Sequence, residues 1–149
     1  MSFKYIKSRK RFEKSNLTLD PETYEGRSYR WYLISAKIGG KVFVNKYSYS
    51  PTTVKHSGDI FRMLRGLGVE EIYQVSAPRG LRNRFITVSF YNNEISALES
   101  KIASKGSRAA KNAERRKEIE YLRKELEIYL RSFDSEDFDR ELNSLLAGT

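Results

Sequence analysis

The sequence predicts an α+β protein: a small antiparallel ββαββ core followed by a helical C-terminal region. Three observations carry this expectation. The runs "YRWYLISAKI" and "KVFVNKYSY", rich in aromatic and β-branched residues, flank Gly39-Gly40, and a Gly-Gly pair supplies the positive φ angles of a tight hairpin turn. Beyond Pro51, apolar residues recur three and four apart as far as Leu67, the period of a helix. Beyond Tyr91 the chain turns to Ala, Glu, Lys, Arg and Leu, the strongest helix formers.

Taken in order, residues 1–27 read as a basic segment and loop, 28–91 as the core, and 92–149 as helices that pack on the core or mediate association. The stretch "SNLTLDPETYEG" is polar and broken by Asp-Pro and Gly, as a connecting loop would be. After the first hairpin Pro51 ends the strand, having no donor for a ladder. Thr52 or Thr53 can cap the helix that follows, whose face is set by Val54, Ser57, Phe61 and Leu64 with Ile60 and Leu67 beside them. Gly58 interrupts that helix and implies a bend or close packing against the sheet. "EEIYQVS" and "RFITVSFY" read as two more strands joined by the basic loop "APRGLRN". Asn92 or Asn93 can cap the next helix, and Lys105-Gly106-Ser107 breaks it. Ile119, Leu122, Leu126, Tyr129 and Phe133 then form a seam of barely two heptads. Asp134 or Ser135 can cap a last short helix with Phe138, Leu142 and Leu145 on its apolar face.

Composition narrows the chemistry. The 149 residues contain no cysteine, which excludes disulfides, thiolate catalysis and every zinc site built on Cys. No apolar run reaches the length of a membrane span, and "MSFKYIKSRKRF" lacks the apolar stretch of a secretory signal, so the expected compartment is the cytoplasm. Net charge is +9, from 28 Lys and Arg against 19 Asp and Glu. That charge is segregated. Residues 1–14 carry +5, residues 77–91 carry +3 with no acid, and residues 133–149 carry −4. A directed basic surface suits a polyanion, above all nucleic acid.

The candidate phosphate contacts fall in three groups. Lys7, Arg9, Lys10 and Arg11 form the N-terminal cluster. Arg79, Arg82 and Arg84 project from the "PRGLRNRF" loop, where arginine can hold a phosphate bidentately or stack on a base. Thr53, Lys55 and His56 surround a helix start, whose free amides attract anions. Tyr29, Trp31, Tyr32, Tyr47 and Tyr49 crowd the first hairpin, and any exposed subset can stack on unpaired bases. For a protein partner, the candidate contacts are Leu126, Tyr129, Phe138 and Leu142 on the C-terminal helices.

Enzyme signatures are sparse. There is no G-x-S-x-G and no H-E-x-x-H, and "EEIYQVS" places Gln74 and Ser76 where a metal-dependent nuclease wants an acid and a lysine. His56 is the only histidine, so no metal or cofactor is expected. The segment from Tyr47 to Gly68, together with "APRGL" further on, resembles small uncharacterised proteins encoded by bacteriophages, which carry a Y-S-x-T-T-x-K-H-like element before a short helix. The resemblance implies a phage origin, hence a host cytoplasm, and a role in host interaction; it carries over no activity and no site.

The expected function is therefore non-catalytic binding of DNA or RNA through phosphates. One alternative is a protein–protein module of host-takeover or anti-defence type, docking its C-terminal helices on a host or viral complex or on a second copy. The other is a small metal-independent ribonuclease that uses His56 with Arg, Lys and Tyr.

Overall fold

A computed structural model describes residues 4–6, 11–14 and 16–147, with side chains for 16–136. Among the described residues, seven strands form one sheet in sequence order. They are β1 (Lys4–Ile6), β2 (Arg11–Lys14), β3 (Leu17–Leu19), β4 (Gly26–Ser28), β5 (Tyr32–Ile38), β6 (Lys41–Asn45) and β7 (Ile72–Val75). The helices are α1 (Pro51–Gly66), α2 (Arg84–Ala103) and α3 (Ala109–Ala147). The α+β class stands, with the sheet first and the helical region last.

Gly39 and Gly40 turn the chain as expected, both at positive φ, and β5 pairs antiparallel with β6. Strands β1 to β6 form an antiparallel meander. The chain then crosses through α1 and adds β7 parallel to β6, so the sheet is mixed rather than wholly antiparallel.

The expected fourth strand, "RFITVSFY", is instead the beginning of α2. Its β-branched and aromatic composition favours a strand, but the residues it buries, Thr87, Tyr91 and Ile95, are four apart. That spacing puts them on one helical stripe, and burial, chiefly against α3, overrides propensity. Asn83 starts the helix by accepting from the Ile86 amide at 3.2 Å. The expected loop before Tyr29 also contains structure. Leu17 and Leu19 are fully buried on β3, a strand too short for its alternation to stand out.

Helix α1 begins where Pro51 predicts, but its cap is Ser50. Ser50 Oγ accepts from the Thr53 amide at 3.2 Å, and the Ser50 amide donates to Thr53 Oγ1 at 2.9 Å, a reciprocal capping box. Its buried face is Thr53, His56, Ile60 and Leu64, while Val54 is exposed. The true stripe is thus rotated from the expected one. Gly58 does not pack closely on the sheet: a Cβ there would have only Arg62 Nη1 nearby, at 3.7 Å. Gly106, at positive φ, separates α2 from α3 as expected. No break follows at Asp134 or Ser135, and α3 continues for 39 residues.

Each face of the sheet has its own core. One holds Leu17, Leu19, Tyr32, Ile34, Val42 and Val44 against Ile60 and Leu64 of α1. The other holds Leu33, Ala36, Ile38 and Phe43 against Tyr91 of α2 and Tyr129 and Phe133 of α3. A β-bulge makes this division possible. Gly26 faces Ser35 while Arg27 faces Leu33, so β5 has one extra residue. The insertion resets the alternation, and Leu33 and Ala36 both reach the α3 side. The seam from Ile119 to Phe133 is spent on this intrachain packing. Among the described residues, no helix is long and apolar enough to cross a membrane.

Candidate nucleic-acid interface

The arginine loop is held down at both ends. At its start, Asn45 at the end of β6 uses its whole amide. Nδ2 donates to the Ala77 carbonyl at 2.7 Å and to Tyr32 Oη at 3.0 Å, while Oδ1 accepts from the Ala77 and Tyr47 amides, each at 3.0 Å. At its end, Leu81 is fully buried, its amide donates to the Leu33 carbonyl at 3.3 Å, and its carbonyl accepts from Tyr129 Oη. Gly80 makes the turn between these anchors at φ +96°. A loop anchored by buried hydrogen bonds presents its side chains in a fixed arrangement.

Those side chains line an open groove of about 880 Å³ bounded by Arg27, Arg79, Arg82, Arg84, Trp31 and Phe85. Arg27 comes from β4, Trp31 from the β4–β5 turn, and Phe85 from the first turn of α2. Trp31 is 55% exposed and Phe85 is 80% exposed, although each would gain by burial. The turn that carries Trp31 is itself strained. Tyr29 and Arg30 sit at φ +55° and +67°, angles that residues with a side chain rarely adopt. Trp31 packs edge-on against Tyr49, with ring centroids 5.7 Å apart; Tyr49 is also exposed.

The four guanidinium groups are not equivalent. Arg82 pairs with Glu136, and with Glu25 at 3.8 Å. Glu25 also holds Arg27 at 3.3 Å. Arg84 lies over the Phe133 ring at 4.7 Å, a cation–π contact. Arg79 makes no ion pair with any described residue. The glutamates halve the formal charge of the groove, and Arg79 is an exposed cation that neither of them pairs.

The other candidates are placed differently. His56 is 7% exposed and shares a 2.6 Å hydrogen bond between its Nδ1 and Ser28 Oγ, so it braces α1 against β4. Thr53 is buried, and besides its part in the capping box its hydroxyl donates to the Ser50 carbonyl at 2.9 Å; it has no face toward a ligand. Lys55 is exposed on α1, outside the groove lining. Lys7, Arg9 and Lys10 lie outside the described residues, and Arg11 is in β2 with its side chain outside them. Tyr129 is a core residue and Leu126 packs beside it, half-buried. Phe138 and Leu142 lie in α3, their side chains outside the described ones.

Sequence reasoning found the arginine loop and flagged Trp31 among the aromatic residues, but it missed Arg27 and Phe85. Arg27 stood in an expected loop, and Phe85 in an expected strand; only the tertiary fold brings them to the groove. Among the described residues, no cluster of three or more His, Asp or Glu is placed to hold a metal. Comparison with protein-family models, with curated proteins and with solved structures finds no match in any of the three, so a functional reading stands on this geometry.

Proposed function

We propose that this protein binds single-stranded nucleic acid without cleaving it. Phosphates lie against Arg79 and its neighbouring arginines, and unpaired bases stack on Trp31 and Phe85. The observation that carries the reading is the meeting of four arginines with two exposed aromatic rings in one groove. Cations follow the backbone, and flat rings accept any base, in single-strand recognition. A duplex keeps its bases stacked and offers nothing to the rings, which favours single strands. With two glutamates beside the arginines, binding is expected to be moderate and steeply weakened by salt.

The burial of His56 against Ser28 counts against the ribonuclease reading, since a general base must reach its substrate. The burial of Tyr129 likewise removes one of the expected contacts of a docking helix. The direct test is binding of labelled single-stranded RNA and DNA, with the probe checked for cleavage afterwards. Wild type should bind and leave the probe intact. Replacing Arg79 and Phe85 together by Ala should weaken binding at least tenfold, about 1.4 kcal/mol. Unchanged affinity in that variant would refute the groove as the interface.

A further inference from the structure

The largest concentration of charge in the described chain lies away from the groove. Residues 101–117 carry Lys101, Lys105, Arg108, Lys111, Arg115, Arg116 and Lys117 against Glu114 alone, a net of +6 within a chain of +9. This segment runs from the last residues of α2 through the turn into the first turns of α3. Five of its cations, Lys101, Lys105, Arg108, Lys111 and Arg115, converge on a pocket of about 330 Å³ that no acid lines. None of the five is ion-paired with a described residue.

The turn is built rather than loose. Ser107 Oγ donates to the Ile102 carbonyl at 3.1 Å and accepts from Asn112 Nδ2 at 3.0 Å. Arg115 Nη1 then donates to Asn112 Oδ1 at 3.0 Å, and Asn112 is buried. This relay fixes Arg115 and the path of the chain around Gly106. Concentrating like charges costs stability through mutual repulsion, and no packing explains the arrangement, because most of the segment is exposed.

We infer that the α2–α3 turn is a second anion site, which takes the phosphodiester backbone of a nucleic acid independently of base identity. The surroundings choose among polyanions. None of the exposed large apolar side chains, Tyr29, Trp31, Tyr49, Val54, Phe85 and Tyr121, belongs to this segment. A membrane-bound turn would need such a group to insert, and a protein interface would need one as an anchor. Charge without an apolar anchor fits phosphate contacts, which position a nucleic acid but do not read it. Arg84 starts α2 and Lys101 stands near its end; those 20 residues span about 30 Å. One ligand touching both sites must therefore be several nucleotides long.

The inference rests on the nucleic-acid reading, so its test separates the two. Full-length protein is titrated with a single strand of roughly thirty nucleotides, long enough to span about 30 Å, at several salt concentrations. Anionic phosphatidylserine vesicles serve as the control. Lys105, Arg108 and Lys111 are replaced together by Ala; Lys105→Glu is a milder second variant, and circular dichroism checks both for folding. The triple variant should bind more weakly, with a slope of log affinity against log salt shallower by about 2 to 3, while the groove variant leaves that part of the slope in place. If wild type binds but the triple variant keeps its affinity and slope, the second site is refuted and the groove survives. Absence of any nucleic-acid binding by wild type, with or without vesicle binding, overturns both.

Discussion

Asn45 and Ala77 exchange two hydrogen bonds, with Nδ2 donating to the Ala77 carbonyl at 2.7 Å and the Ala77 amide donating to Oδ1 at 3.0 Å. Both residues are buried. Through this pair the last residue of β6 holds the chain that leaves β7, and so fixes where the arginine loop begins. Asn45→Ala strands the Ala77 and Tyr47 amides, while the Ala77 carbonyl and Tyr32 Oη keep their 3.2 Å bond to each other. The expected loss is about 2–4 kcal/mol, on the scale of one to two buried groups left unsatisfied. Urea denaturation should show a lower midpoint. Oligonucleotide binding should weaken as well, under conditions where the variant is still folded.

Two glycines should respond in opposite directions. Gly39 has φ +57°, and a Cβ there would run into the backbone of Ser132 on α3. Gly39→Ala should therefore cost more than about 2 kcal/mol, combining left-handed strain with displacement of the helix. At Gly58 the space is open, and Gly58→Ala should stabilise by roughly 0.5–1 kcal/mol. Thermal melts of the two variants, side by side, check both signs.

Arg30 holds φ +67° in the turn before Trp31. Glycine adopts that angle without strain, so Arg30→Gly should raise stability by up to about 1 kcal/mol. If the strain serves to present Trp31, the same variant should bind oligonucleotides less tightly. A rise in melting temperature without any loss of binding would separate the strained turn from function.

Three buried tyrosines set a limit at high pH. Burial pushes Tyr32 and Tyr129 up to about 12. Burial, together with donation to Glu125 Oε2 at 2.6 Å, raises Tyr91 as well. In the unfolded chain a tyrosine ionises near pH 10, so above that pH the unfolded state gives up protons that the native state keeps. The stability these groups contribute is complete below about pH 10 and falls as pH rises towards 12. Denaturation midpoints should therefore drop across that window. Tyrosinate absorbance should show these three rings ionising only as the protein unfolds.

The features legible in the sequence were those set by local chemistry. Gly39-Gly40, Pro51 and Gly106 mark a turn, a helix start and a helix break that the backbone alone demands. What was not legible depended on long-range pairing. Thr87 and Tyr91 look like strand residues until α3, lying on the sheet, offers a helix a place to bury them, and Leu17 and Leu19 make a strand only because β2 and β4 flank them. The groove divides the same way. Arg79, Arg82 and Arg84 lie within six residues of sequence and were visible together, whereas Arg27 and Phe85 join them only through the meander and the redirected α2. His56 drew attention as the only histidine, but its environment makes it a brace between α1 and β4.

The central claim is that bases stack in the groove, and Trp31 reports on this directly because it is the only tryptophan in the chain. The decisive measurement is a titration of Trp31 fluorescence with single-stranded RNA and DNA at about 50 mM salt, repeated at higher salt. The account predicts saturable quenching by single strands, weaker quenching by duplexes, and a quench that is lost in the variant lacking Arg79 and Phe85. Fluorescence indifferent to every single strand at low salt would contradict it.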